Sequence, residues 1–361
     1  MCVFRHARHK STLKIIKLYE HEKTLISTLP LFLLAAAATS LPSCKKDKPE
    51  KKNNTEEPNT PEEPTPVVAD GQCGESLTWS LRDGVLTITG DGAIPDYADS
   101  DAGRSPWYVY RAAIKKVIME DGVTGIGKYA FHLCYTLTDV TAPTSILSIG
   151  QHSFYECRSL TNFALPNGVK NIDHAAFLFC DGLVSVTIPE SVTTISDMAI
   201  ISCTALTTID VVSGNPNYAS VNGVLFNSAK TTLVKYPDAK QSSYTIPSDV
   251  KEIGNYAFHV CYALTNIIIP ESVTTIGHAA FTFCRFTSVT TPANVTYIGG
   301  YAFSCDELKN VTIMAVTPPV LAEYDHFRGA SKTLYVPKGC VNAYKADAKW
   351  NAAFTTIVEQ Q

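Results

Sequence analysis

The feature that most constrains this chain is an internal repeat of about 23 residues. Its clearest marker is a column of cysteines: Cys134, Cys157, Cys180 and Cys203 stand 23 residues apart, and Cys261, Cys284 and Cys305 resume the column. The gap of 58 between Cys203 and Cys261 reads as one period plus a 35-residue insert, and the last interval, 21, as two single deletions. A unit this short has nothing of its own to bury against. Only stacking such units, each covering the next, builds a continuous core.

Each column of the repeat has a physical job. Ile126, Ile149, Ile172, Ile195, Ile253, Ile276 and Ile298 form one apolar ladder. Phe131, Phe154, Phe177, Ile200, Phe258, Phe281 and Phe303 form a second, each after a small residue. Leu137, Leu160, Leu183, Leu206, Leu264, Phe286 and Leu308 open a strand whose inward positions recur with period two, as in Val186/Ile188 and Ile267/Ile269. Proline closes several of these strands, at Pro166, Pro189, Pro270 and Pro292. Alternation then points the intervening residues outward: Asp139 and Thr141, Asn162 and Ala164, Ser185 and Thr187, Thr208 and Asp210, Asn266 and Ile268, Ser288 and Thr290, Asn310 and Thr312. Their small polar side chains are expected to form a flat, hydrogen-bonding face, although Ser and Thr are also ordinary exposed strand residues.

The repeat motif, in units such as Val250-Lys-Glu-Ile-Gly-Asn-Tyr-Ala-Phe258, resembles the BspA-like leucine-rich repeat family of surface proteins. The resemblance extends from about residue 73 to 358. It implies a repeat solenoid with one short parallel strand per 23-residue coil, a β-rich N-terminal cap and a C-terminal cap. Cys73 to Glu120 resembles the N-terminal cap, with a hairpin turn at Asp83-Gly84. Asn215 to Pro237 resembles an embedded hairpin that turns at Asn222-Gly223 and is expected to protrude, and Tyr335 to Trp350 resembles a closing cap. The domain expectation is a signal peptide over 1–43, a tether over 44–70, a β cap over 71–121, repeats over 122–212, a hairpin insert over 213–249, repeats over 250–317 and a cap over 318–361. What the resemblance implies for function is adhesion to host matrix or serum proteins or to other bacteria.

The N-terminus reads as a targeting segment. Basic residues through Lys23 precede an apolar run from Leu29 to Ala38, about half the length of a membrane span. Leu41-Pro42-Ser43-Cys44 resembles a bacterial lipobox, which implies acylation at Cys44; an ordinary cleaved signal with a chance cysteine is the alternative. No Met lies between Met1 and Met119, so translation is expected to start nearer Lys23, at a non-ATG codon. Residues 45–70 are charged and proline-bearing, with almost no apolar side chains, and are expected to act as a tether. Together these predict a lipid-anchored outer-membrane protein displayed at the cell surface, with the periplasmic face as the alternative. The membrane is reached through the lipid anchor only.

Charge and motifs narrow the function classes. The leader through Cys44 holds six Lys/Arg against Glu20 and Glu22, which leaves 24 basic and 32 acidic residues beyond it. A mildly acidic body lacks the basic face that nucleic-acid binding requires. Gly122-Val-Thr-Gly-Ile-Gly127-Lys128 nearly matches a phosphate-binding loop, but Tyr129 stands where Ser or Thr is needed and the segment occupies an ordinary repeat column. No CxxC or HExxH pattern occurs, and no cofactor or metal is expected. Seven repeat cysteines cannot all pair within their column and are expected to be buried, inert thiols; a disulfide involving Cys73 or Cys340 stays open. The reading is of a non-catalytic binding protein. Its candidate face is Asp139, Thr141, Asn162, Ser185, Thr187, Thr208, Asp210, Asn266, Ser288 and Thr290, and its partners are host or bacterial surface proteins. The alternative is a glycan-binding accessory lipoprotein, whose sugar site would use the cap aromatics Trp79, Trp107, Tyr108, Tyr110 and Trp350.

Overall fold

The structure, a computed structural model, describes residues 68–323, 326–327 and 332–361. Cys44 and the leader, and nearly all of the tether, lie outside the described residues.

The first described strand, Val68–Gln72, includes three residues ahead of the expected cap boundary. Val68–Gln72, Leu77–Arg82 and Val85–Gly90 form an antiparallel meander. Its second turn falls at Asp83 and Gly84, both left-handed with φ of 51° and 79°. Val85–Gly90 then pairs in parallel with Lys116–Met119, which pairs in parallel with Asp139–Thr141 of the first coil. The cap thus converts an antiparallel sheet into the parallel stacking of the solenoid and leaves the first coil no open edge on that side.

Every coil has three sides. The strand side carries the period-two segments: Ser185–Ile188 on Thr208–Val211, Ser243–Thr245 on Asn266–Ile268, and Ser288–Thr291 on Asn310–Ile313, all parallel and in register. The isoleucine ladder forms a second parallel sheet of two-residue strands. Ser148–Ile149, Asn171–Ile172 and Thr194–Ile195 make one run, and Glu252–Ile253, Thr275–Ile276, Tyr297–Ile298 and Val320–Leu321 another. Two-residue strands are too short to show alternation, so the sequence marks the ladder without marking its hydrogen bonds.

The third side is a run of turns with two left-handed, non-glycine residues in most coils: Tyr129 and Leu133, His152 and Glu156, Tyr256 and Val260. Each such residue costs about 1–2 kcal/mol in isolation. The compensation is regular. Amides of His152, Phe154 and Glu156 donate to the carbonyls of His174, Ala176 and Leu178 one coil on, while the amides between them close turns within the coil. This arrangement turns Phe154 inward, where its ring stacks between Phe131 and Phe177 at 5.2 and 5.4 Å. The ring column continues through Phe258, Phe281, Phe303 and Phe327. Trp107 extends it into the cap, stacked on Phe131 and donating from Nε1 to the Ala130 carbonyl at 2.7 Å.

The cysteine column has a defined role. The thiols of Cys157, Cys180, Cys203, Cys284 and Cys305 each donate to the carbonyl of the phenylalanine in the preceding coil, at 3.0–3.2 Å. All described cysteines are free, Cys73 and Cys340 included. Burial raises the repeat thiols, with Cys134 pushed up to about 12. They are small apolar groups with one donor, which is what a tight corner under a carbonyl requires.

The expected protruding insert is corrected by the structure. The 58-residue interval contains a hairpin and an additional coil. Thr232–Lys235 runs parallel to Glu252–Ile253 and sets Leu233 in the isoleucine column. Tyr236 occupies the ring column, 5.1 Å from Phe258, and Asp238 stands in the cysteine place, accepting the Cys203 N–H at 2.8 Å. Tyr218–Val221 and Val224–Asn227 form the hairpin, whose second strand also pairs antiparallel with Thr232–Lys235, and its tip folds back onto the solenoid. Gly223 is buried, its carbonyl accepts the Ile209 N–H at 2.9 Å, and a Cβ there would collide with Thr208 Oγ1. The buried core divides at this point: Leu225 packs with the preceding coils, Val224 and Phe226 with the following ones.

At the far end, Thr333–Val336 and Thr356–Glu359 extend the strand side in parallel. The helices Val341–Ala346 and Ala348–Ala353 cover the last coil. Trp350 is fully buried and donates from Nε1 to the Pro319 carbonyl at 2.8 Å.

Candidate functional site

The strand side is positioned by the core beneath it. Val140, Val186, Ile209, Ile267, Val289 and Val311 point inward and are buried, so register alone turns their neighbours to the surface. Asp139, Thr141, Asn162, Thr187, Asp210, Asn266, Ser288 and Thr290 are exposed, and Ser185 and Thr208 are half-buried. Thr138, Thr207 and Thr265, one residue before the outward pairs, do something different. Their hydroxyls donate to the carbonyls of Lys115, Val184 and Ser242 in the preceding coil. Those threonines bind the coils together; the outward pairs are the ones left to meet a partner.

The structure does not bring the ten candidate residues into one patch. Asp139 pairs with Asn162 through an isolated bridge, and Ser185 and Thr187 lie opposite Thr208 and Asp210. The hairpin tip over Thr208 then interrupts the face. Asn266, Ser288 and Thr290 belong to a second patch that begins at Ser243–Thr245, with the strands Asn266–Ile268 and Ser288–Thr291 adjacent.

Six outward residues of that second patch were not among the outward strand positions read from the sequence: Ser243, Thr245, Thr333, Tyr335, Thr356 and Val358. A signal for the first two exists. Tyr244-Thr245-Ile246-Pro247 repeats the pattern of Val186-Thr187-Ile188-Pro189, followed in both cases by a valine three residues on. With these residues the second patch has two rows. One is Ser243, Asn266, Ser288, Asn310, Thr333 and Thr356; the other is Thr245, Ile268, Thr290, Thr312, Tyr335 and Val358.

The two patches differ in charge. The first holds Asp210 and the ion pair of Lys116 with Asp139 at 2.8 Å, and it continues onto the cap at the Arg82–Asp70 pair, 3.1 Å. None of the twelve side chains in the two rows of the second patch is Asp, Glu, Lys, Arg or His.

The cap aromatics do not serve as a sugar platform, contrary to the alternative drawn from the sequence. Trp79, Trp107, Tyr108 and Trp350 are 0–8% exposed, taken up by the ring column and the cap cores, and Tyr110 is half-buried, tilted against Trp79. On the turn side, histidines lie among aromatic rings. His152 stacks on Tyr129 at 5.0 Å, and His259 is buried against Phe283. Burial, aided by neighbouring cationic groups, lowers both histidines to about 3. Among the described residues no group of three or more His, Cys, Asp or Glu is placed to hold a metal ion. Glu156 and Asp181 are both engaged by Arg158, at 2.9 and 3.7 Å. Gly127 of the phosphate-loop look-alike packs against the backbone of Ile94 and Pro95.

These features define a leucine-rich-repeat solenoid with an exposed strand side. The model of the BspA type leucine rich repeat region matches residues 107–231 and 235–318 in six copies, and the chain belongs to that family. Among solved structures it is similar to a leucine-rich repeat protein from Eubacterium ventriosum, at 28% identity and a TM-score of 0.61, covering 81% of this chain and 85% of that one. The pneumococcal vaccine antigen PcpA shares the fold at 19% identity and a TM-score of 0.50, covering 82% of this chain and all of that one. No curated protein matches. Solenoids of this family typically bind proteins and are typically non-catalytic.

Proposed function

We propose that this chain is a non-catalytic, lipid-anchored protein of the outer membrane, displayed at the cell surface. There it attaches to host matrix or serum proteins or to other bacteria through the strand side of its solenoid. The observation that carries the reading is the strand side itself: a broad, exposed, regularly spaced surface of small polar side chains over a tightly packed core, repeated coil after coil. The Leu41-Pro42-Ser43-Cys44 lipobox and the proline-bearing tether support display away from a membrane. Binding distributed over such a face gives modest energy per contact and needs no single deep pocket.

The test is capture of the purified chain by an immobilised panel of matrix and serum proteins, read by surface plasmon resonance, beside adhesion of cells with and without the gene. Saturable binding to a panel member, with matching loss of adhesion, is the expected result. No binding to any member and unchanged adhesion would overturn the reading.

A further inference from the structure

The two rows of the second patch are chemically unlike each other and run side by side. The first row is made only of hydroxyls and side-chain amides, with Asn266 Nδ2 donating to Ser243 Oγ at 3.4 Å. The second is threonine interspersed with Ile268, 55% exposed, Val358, 36% exposed, and the half-buried Tyr335. The rows run over a strand pair, Ser243–Thr245 with Asn266–Ile268, and an adjacent four-stranded sheet from Ser288 to Glu359 that alone spans about 14 Å at about 4.8 Å per strand. The backbone beneath is in register from Ser243 to Ile268 and again from Ser288 to Glu359.

The strip lacks the marks of a protein-docking centre. Hot spots of protein interfaces are built from Trp, Tyr and Arg, and charged rims steer the encounter. Here there is one tyrosine, no tryptophan or arginine, and no charge in either row. An anionic polymer is less suited, because neither row holds a cation to receive its carboxylates or sulfates and Lys309 stands alone beside Asn310. An uncharged glycan matches both rows. Its sugar rings present C–H faces that pack on Ile268, Tyr335 and Val358. Their hydroxyl edges, donors and acceptors together, pair with Asn and Thr side chains that likewise both donate and accept.

We infer that the strand side from Ser243 to Val358 binds an uncharged polysaccharide lying along the solenoid axis, with Tyr335 under one of its rings. This rests on the strand side being the binding surface, and it assigns the uncharged half of that surface a partner class of its own. Because no ion pair contributes, the interaction is insensitive to salt.

The experiment is affinity electrophoresis of the chain through gels containing dextran, a β-glucan or a galactomannan, and through gels containing polygalacturonate or heparin, each at low and high NaCl. Retardation by at least one neutral polymer, unchanged within about twofold by salt, is expected. Tyr335→Ala and Asn310→Ala should each weaken it by roughly tenfold, the scale of one lost packing or hydrogen-bonding contact. Thr194→Ala, exposed on the isoleucine-ladder side, should leave it unchanged, with circular dichroism confirming the fold of each variant. Migration unaffected by every neutral polymer, or retention on acidic polymers alone that salt abolishes, would overturn the inference. Protein capture that persists in that case would leave the adhesive reading standing, so the two fail separately.

Discussion

Replacing Asp238 by alanine probes the junction between the two halves of the core. Lys235 Nζ and Asp238 Oδ1 lie 2.6 Å apart with side chains 5% and 1% exposed, and the carboxylate also accepts the Cys203 N–H at 2.8 Å. Burial raises the Asp238 carboxyl above its ordinary value against the pull of Lys235; burial also penalises the ammonium, which Asp238 more than restores. Without the carboxylate, Lys235 retains only the His259 carbonyl at 3.4 Å, and the Cys203 amide loses its acceptor. Removing one partner of a buried pair costs about 3–5 kcal/mol and an orphaned buried amide about 1–3 kcal/mol. The two overlap, because a stranded lysine can shed its proton. A loss of about 4–6 kcal/mol is therefore expected, a large share of ordinary domain stability. Urea unfolding followed by tryptophan fluorescence and circular dichroism measures it. The double variant Lys235→Met with Asp238→Asn, which removes both charges and keeps an acceptor for the Cys203 amide, should stay within about 2 kcal/mol of the native chain. A single variant within about 1 kcal/mol of native, or a double variant as unstable as the single, would refute the argument.

The buried histidines give the fold an acid limit. His152 and His259 are lowered to about 3, below their unfolded value, so the unfolded state binds more protons below about pH 6.5. Their contribution is complete above that pH and is lost as the pH falls toward 3, about 2 kcal/mol for each histidine between pH 7 and 5; a urea midpoint that does not drop over this range contradicts it. Iodoacetamide should label Cys340 in the native chain and the repeat cysteines only after denaturation, read by peptide mass spectrometry; rapid native labelling of Cys157 or Cys180 would break the account of their column. Cys44→Ala should abolish labelling by a fatty-acid analogue in the membrane fraction, and unchanged labelling would discard the lipobox.

The sequence columns map closely onto the three-sided coil where each position repeats one residue type. Ile172, Phe177, Cys180 and Leu183 all lie where their spacing places them, and Thr187 faces outward because Val186 and Ile188 do not. Legibility fails where a position keeps its job and changes its residue. Leu233, Tyr236 and Asp238 stand in for isoleucine, phenylalanine and cysteine, so an entire coil read as insert. The division of the strand side into two patches follows from Gly223 packing on Thr208, a contact between residues 15 apart that no periodicity encodes. The left-handed turn residues were hidden for a different reason. Tyr129 and Leu133 are not residues that favour positive φ, and hydrogen bonds between coils, with ring stacking at Tyr129, hold them there.

The central claim is that partners dock on the strand side, and arginine placed on it tests that most directly. Asn162→Arg with Thr187→Arg adds two long cations at exposed positions of the first patch, and Ser288→Arg with Thr290→Arg adds them to the second, while the inward residues of both are untouched. Surface plasmon resonance against whichever partner the protein and glycan panels identify, with circular dichroism confirming each fold, gives the readout. The account predicts that at least one of the two double variants loses binding by tenfold or more, the size of about 1.4 kcal/mol. Full affinity in both would contradict it and move the binding surface to the turn side or the caps.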